Sequence, residues 1–301
     1  MSGSTLGRFG AWGHLDSLGV DHARAYARRV DELGYGALWV PETVGREPFT
    51  LLGILAGEAR RMVLGTSVVN IWGRDAQATR MSAMTLAEAT GGRLALGLGV
   101  SHPHLAEKLR GHRFERPLSH MRDYLAAYRS AVYRGPMPPP GMAEPLVLVA
   151  ALRERMTDLA ATDADGAFPY LVTAQRVAWM RTRLDAAAQD RQPLLAVTLP
   201  VALADRTDDR DAARAYLTPY LRTPTYRASW ELQGFAPEDW EAPGSDRLVD
   251  AMVAIGDVAN ARGRVHGLLA AGADHVAIIP IAQDGTTDQL STLEALAGEL
   301  L

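Results

Sequence analysis

Three histidines, a carboxylate, an amide and two arginines stand where the chain could do chemistry. His102 and His104 are two residues apart in HPH, so on an extended segment their rings point the same way. His102 directly follows an apolar run, as does His14, and either could serve as acid or base near neutral pH. A metal site would need a third ligand, and no HExxH-like spacing occurs; the plain alternative is histidines on surface loops. Glu42 and Asn70 close two other apolar runs, and Glu42 reads as a polar ligand contact in preference to a capping or salt-bridged group. Arg153 and Arg155 follow the small turn Ala150-Ala151-Leu152, in the first turn of an expected helix. Cations there oppose the helix dipole unless an anion is present. A phosphate on the N-terminal amides would resolve the conflict; two solvated arginines are the equal alternative.

The elements that position these groups follow from periodicity. Runs at 63–69 and 94–100 are short, mostly apolar and interspersed with glycine, the pattern of parallel strands covered on both faces. Between them, 76–89 has helical spacing, with Met81, Met84, Leu86 and Ala87 placed for a buried face and Gly91-Gly92 past its end. This β-α-β unit would bring 67–70 and 100–104 to one rim of the sheet, where ligands bind in α/β folds. Six more strands are expected at 6–13, 35–41, 146–150, 166–172, 194–203 and 273–280. Helices are expected at 22–33, 49–59, 118–133, 152–162, 174–188 and 209–221, then across 246–271 and from about Thr287 onward. Eight strands alternating with helices predict a single (β/α)8 barrel over residues 1–301 in preference to an open doubly wound sheet. The run GPMPPPGMAEP is a connector.

Residues 222–245 read as an irregular insertion carrying Tyr226, Trp230, Phe235 and Trp240. It is either a lid over a pocket, a segment packed on the barrel, or part of a subunit interface. GLGVSH, at 97–102, has no third glycine and is followed by Pro103. That argues against a dinucleotide fingerprint and for glycines inside a crowded barrel strand.

Composition excludes several function classes. The 301 residues are 48% hydrophobic and 22% charged, with a formal net charge of -4. Such a chain has no basic field for nucleic acid and no polybasic membrane anchor. It has no cysteine, which excludes disulfides, thiol catalysis and Cys-ligated metals. Of its 31 basic residues only Lys108 is lysine, inside the charged stretch AEKLRGHRFER, so Schiff-base aldolase chemistry is not expected. With no apolar run near the roughly 18 residues of a membrane span and no signal-peptide pattern, the expected location is the cytoplasm.

The segments ELGYGALWVPE, LGTSVVN, EATGGRLALGLGVSHP, LVLVAALRERM and DADGAFPYLVTAQ together resemble the luciferase-like flavin and deazaflavin oxidoreductases. The nearest branch is that of the coenzyme F420-dependent enzymes. The resemblance spans most of residues 6–203, returns at GADHVAIIP and is weak across 222–245. It implies a (β/α)8 barrel holding an isoalloxazine-type ring at its carboxyl rim, with a non-prolyl cis peptide at Ser67-Val68 against the ring face. Glu42 and Thr43 fall where the family presents an acid and, in its sugar-phosphate dehydrogenases, a catalytic histidine. Thr43 cannot act as that base, and His102 occupies a position that is glutamate in those enzymes, so that substrate class is not expected.

Carried over position by position, the resemblance implies cofactor contacts from Glu42, Thr43, Ser67, Val68, Asn70, Val100, Ser101, Ala150, Ala151, Leu152 and Arg153. The last four match the turn that holds the cofactor phosphate. The implied reaction is hydride transfer between coenzyme F420 and a small organic substrate, with His102 or His14 moving the proton beside Glu42. Two alternatives stay open: an FMN-dependent monooxygenase supplied with FMNH2 by a separate reductase, and a non-catalytic flavin-binding paralogue. Family analogy implies a homodimer.

Overall fold

The computed structural model describes residues 6–136, 144–204, 209–282 and 290–301. Its strands are β1 (Phe9–Trp12), β2 (Ala37–Val40), β3 (Val63–Asn70), β4 (Leu94–Gly99), β5 (Leu146–Val149), β6 (Gly166–Ala167), β7 (Leu194–Leu203), β8 (Ala254–Gly256) and β9 (His275–Pro280). Strands β1 to β7 pair in sequence order, and β9 joins β7 back to β1, closing an eight-stranded parallel barrel. β8 is extra: it pairs in parallel with the outer end of β7, Val201 opposite Ala254. The chain is a (β/α)8 barrel.

The apolar runs split by size across the sheet. Leu38 and Val40 of β2, Leu94, Leu96 and Leu98 of β4, and Val276 and Ile278 of β9 pack outward in the core beneath the helices. Their neighbours Ala37, Ala95 and Ala277 face inward. The interior is filled by Trp39 and Phe168, whose rings lie 4.6 Å apart. Trp39 is fully buried and donates its indole N–H to Nε2 of His275 at 2.9 Å. Nδ1 of His275 is 2.8 Å from the Gly7 carbonyl, so the ring is the neutral Nδ1–H tautomer and both nitrogens are used. Burial pushes this imidazole down to about 4. Gly65 makes the room: a Cβ there would lie 2.3 Å from Cε3 of Trp39.

The surrounding helices are α1 (Val20–Leu33), α2 (Pro48–Leu55), α3 (Ala76–Thr90), α4 (Pro117–Ser130), α5 (Glu154–Asp163), α6 (Ala174–Ala187), α7 (Asp211–Leu221), α8 (Pro224–Glu231), α9 (Asp246–Met252), α10 (Val258–Ala270) and α11 (Leu290–Leu300). Side chains of Asp75, Thr173 and Asp257 cap α3, α6 and α10 by accepting from backbone N–H groups three residues on. None of the described helices is long and apolar enough to cross a membrane.

The structure departs from the expected pattern in four places. β6 is two residues long because Phe168 to Val172 leave the sheet, with Leu171 at φ 54° turning the chain. The stretch 246–271, expected to be helical, contains β8, three residues that carry too little sequence to show a period. Residues 222–245 hold α8, started by Pro224, and a 3-10 turn, Pro237–Trp240. Trp230, Phe235, Tyr216 and Leu248 pack that segment against the ends of β7 and β9 as a second core. Met81, expected to be buried, is 50% exposed: the buried stripe of α3 runs through Ala76, Thr79, Ala83, Leu86 and Thr90, and Met81 lies off it. The centre of the expected Pro-rich connector, 137–143, and the expected start of the last helix at Thr287 fall outside the described residues.

Because no open space exists beside Gly65, Gly65→Ala should lower the unfolding free energy by about 2 to 3 kcal/mol. Gly57→Ala, where an added Cβ meets nothing within 4 Å, should change it by less than about 0.5 kcal/mol. Urea unfolding of both variants checks the contrast, and equal midpoints would show that the barrel interior has slack.

Candidate active site

The carboxyl ends of β3, β4 and β5, and the chain leaving β6, open into one cavity of about 770 Å³. Along β3 the ladder to β4 slips between Thr66 and Val69, so Ser67 and Val68 stand outside the regular pairing, which resumes with Val69 opposite Leu98 and Asn70 opposite Gly99. The Ser67-Val68 peptide is cis, at the pair where the family resemblance placed it. Val68 lines the cavity against Gly99, where a Cβ would come within 2.5 Å of Val68 Cγ2. The glycines of GLGVSH therefore belong to a barrel strand pressed against the β3 bulge, as expected. They are not a nucleotide turn.

Beyond β4 the chain passes through Val100, Ser101 at φ 57° and His102, all on the cavity wall. The rings of His102 and His104 are parallel within 7° with centroids 6.0 Å apart, although His104 is helical, φ -64° and ψ -31°, where an extended segment was expected. On its other side His102 meets Tyr226 of α8 at 5.4 Å between ring centroids. Nδ1 of His102 is buried and has no hydrogen-bond partner among the described residues. Burial, with a smaller contribution from His104, pushes this imidazole down to about 4. At neutral pH it is uncharged and presents one N–H and one lone pair.

The facing wall is aromatic. Phe168 and Tyr170, just past β6, and Tyr226 line the cavity with Leu232. Tyr170 is hydrogen-bonded through its hydroxyl to Tyr216, and burial holds both phenols well above their ordinary range.

The rim is cationic. Arg116 is the N-cap of α4, Arg153 the N-cap of α5, and Arg155 lies in the first turn of α5; all three line the cavity. None has a carboxylate partner among the described residues. The nearby Glu154 is paired with Arg183 at 2.9 Å. Ala150, Ala151 and Leu152 complete this wall.

Of the residues expected in the site, Val68, Val100, Ser101, His102, Ala150, Ala151, Leu152 and Arg153 line this cavity. His14, Glu42, Thr43, Ser67 and Asn70 do not. His14 Nε2 sits 3.1 Å from Thr43 Oγ1, and the Thr43 hydroxyl donates to Asp16 at 2.8 Å. Asn70 Oδ1 accepts from the N–H groups of Trp72 and Gly73 at 3.0 and 2.9 Å, holding the turn after β3. Glu42 is 6% exposed, and its two oxygens accept from Asn70 N at 2.6 Å, from Arg74 at 3.0 and 3.2 Å, and from Arg110 at 3.0 Å. It ties the loop after β4 to the end of β3.

Sequence reasoning passed over Arg116, Phe114, Phe168 and Tyr170, all on the cavity wall. The signal for Phe168 and Tyr170 was present, since they follow the end of a barrel strand, but extending that strand to Val172 hid them. Arg116 sits directly before Pro117, the first residue of α4.

Replacing Glu42 by Gln removes the carboxylate that Arg74 and Arg110 share; Arg74 keeps Glu47 at 2.9 Å, and Arg110 is left without a carboxylate partner among the described residues. Partial exposure of Arg110 moderates the cost, and a loss of about 2 to 3 kcal/mol is expected in urea unfolding. Trypsin should then cut at Arg113 at least several times faster than in the parent chain. An unchanged cleavage rate would show that the loop is held by other contacts.

A profile of the luciferase-like monooxygenase family matches residues 1–275. A Mycobacterium tuberculosis protein named as a candidate coenzyme F420-dependent oxidoreductase is 26% identical, over 98% of this chain and 99% of its own. The structure of coenzyme F420-dependent tetrahydromethanopterin reductase from Methanopyrus kandleri superposes with a TM-score of 0.73 at 15% identity, covering 97% of each chain. A monooxygenase from Streptomyces bottropensis superposes with a TM-score of 0.69 at 16% identity, over 97% of this chain and 98% of that one. With the closed barrel and the cavity at its carboxyl rim, the profile match places this chain in the luciferase-like monooxygenase family.

Proposed function

We propose that the protein is a coenzyme F420-dependent oxidoreductase acting on a small organic substrate. The observation that carries this reading is the set of three arginines, Arg116, Arg153 and Arg155, that line the cavity without carboxylate partners among the described residues. Together with the N-terminal turn of α5 they suit a ligand with several negative charges. The cofactor test on the residues themselves is favourable. The Gly99 cradle against Val68, the small Ala150 and Ala151 and a space of about 770 Å³ admit a flat tricyclic ring. His102 lines the cavity, and its uncharged ring offers that ring or its substrate a polar contact.

When bound, a deazaflavin supplies hydride chemistry at its ring. The chain's own part is positional and electrostatic. Val68 and Gly99 would support the bound ring, and Tyr170, Tyr226 and Leu232 line an apolar space that would exclude water from a substrate. His102, uncharged, donates or accepts one hydrogen bond at the substrate oxygen and holds the proton there. Arg153 and Arg155 with the α5 amides would hold the cofactor phosphate, with Ser101 and Leu152 beside them. His14 remains the second candidate for the proton, through its contact with Thr43. Glu42 acts by positioning the loop that carries Arg110, with Asn70 and Ser67 as part of the same β3 end. A homodimer and cytoplasmic location complete the reading.

Titration with oxidised F420 and with FMN separates this from an FMN-dependent monooxygenase fed by a reductase. F420 should bind at least tenfold more tightly, and Arg153→Ala together with Arg116→Ala should erase most of the difference. Tighter binding of FMN would transfer the assignment to the monooxygenase reading, and tight binding with no cofactor bleaching against any carbonyl or alcohol would leave a binding protein.

His102→Ala should lower turnover about 100-fold or more while cofactor affinity stays within about threefold. Because the His102 imidazole is pushed down to about 4, its neutral form is the populated one above that value. The profile of kcat/KM should therefore be flat from pH 8 to about pH 5.5 and fall only below. An inflection near the ordinary histidine value of roughly 6.5 would assign the proton step to a different, more exposed histidine.

A further inference from the structure

A second cavity, of about 580 Å³, adjoins the first: Glu154 and Leu232 line both. Arg176, in the first turn of α6, lines it and is only 7% exposed. Its guanidinium stacks on the Trp179 ring at 3.8 Å and donates through Nη2 to the Leu152 carbonyl at 2.7 Å. Nε has no partner, and no carboxylate pairs with this arginine among the described residues. The one acid on the cavity wall, Glu154, is bound to Arg183.

A buried cation with no counter-charge is costly, and a cation at a helix N-terminus adds to that cost. Burial accordingly lowers the Arg176 pKa from its ordinary value. α6 is 14 residues long, so its amino end contributes the same positive potential that α5 directs at the main cavity. An oxyanion beside Arg176 would answer both at once. The stack on Trp179 and the bond to Leu152 hold the guanidinium plane in place before a ligand arrives.

We propose that the Arg176–Trp179 cleft is a second anion subsite, which takes a carboxylate or phosphate carried on a chain running out of the main cavity past Leu232. The oxyanion has two possible sources, the acidic side chain of the cofactor or an acid group on the substrate. Only the first of these rests on the deazaflavin reading; the subsite itself stands on Arg176.

The test uses the full chain, with γ-linked triglutamate and inorganic phosphate as probes. Either should change tryptophan emission in the parent and not in Trp179→Phe, and Arg176→Gln should weaken its binding at least tenfold. Arg176→Lys, which keeps the charge and loses the planar fork, should fall between; its melting temperature and that of Arg176→Gln report on folding. F420 bearing its glutamate chain and the chain-free deazaflavin are then compared. A tenfold loss in Arg176→Gln for the first alone assigns the subsite to the cofactor. Equal binding of both, with the probe response still dependent on Arg176, assigns it to an acid on the substrate. If neither probe binds, or both bind folded Arg176→Gln as well as the parent, the proposal is overturned. Failure of every deazaflavin to bind would refute the proposed function and leave the probe result readable.

Discussion

Uncompensated positive charge at the amino ends of three successive helices is the constraint on which this molecule turns. Arg116 begins α4, Arg153 and Arg155 begin α5, and Arg176 lies in the first turn of α6. In a chain whose formal net charge is -4, acids are plentiful, yet none among the described residues answers these four. Some arginines elsewhere are paired in detail, as Arg183 is with Asp158 and Glu154, or Arg210 with Asp250, while others, such as Arg93 and Arg264, bond backbone carbonyls; what sets Arg116, Arg153 and Arg155 apart is that they share one cavity rim. Helix dipoles make these particular cations unfavourable in isolation and favourable once an oxyanion is present. The barrel concentrates the effect, because parallel strands deliver every following helix with its amino end at the same rim.

Packing inside the barrel determines what sits beneath that rim. Trp39 and Phe168 plug the interior, and Trp39 and His275 lock each other through one hydrogen bond. The floor of the cavity is consequently closed by buried rings. Above it, β3 and β4 approach so closely at Val68 and Gly99 that only glycine fits. His102 lines the same cavity, in ring contact with Tyr226, alongside Tyr170. Both kinds of side chain are uncharged at neutral pH, the phenols by their nature and the His102 imidazole because burial pushes it down to about 4, so the polar groups over the cavity floor are dipoles and the net charge is confined to the rim. That separation suits a ligand with a flat, weakly polar head and an acidic tail.

Glu42 lies at a strand end but off the cavity wall, engaged by donors from its own protein. Three donors converge on it, and they come from the end of β3, the turn after it and the loop after β4. Its role is to fasten the loop that contributes Phe114 and Arg116 to the cavity wall. The same loop leans on Trp72, which stacks on His120 at 4.1 Å and donates to the Val100 carbonyl at 2.8 Å.

The barrel and half of the site were legible because their causes are local in the chain. Strands buried on both faces must be continuously apolar, helices covering them must carry a 3.6-residue stripe, and small residues must mark the close approaches. Those rules located eight strands, the Gly97–Gly99 segment, His102 and the Ala150–Arg153 turn from residue types alone. Three-residue β8 and two-residue β6 are shorter than any period and went unseen or overextended. Tertiary structure decided the rest. Whether Glu42 faces a ligand or two arginines depends on Arg74 and Arg110, which lie 32 and 68 residues away along the chain. Whether Arg176 has a counter-ion depends on which helix face Glu154 turns toward. Residue type sets which charges a chain carries; only the folded arrangement sets which of them are left without a partner, and an unmet charge is what a ligand binds.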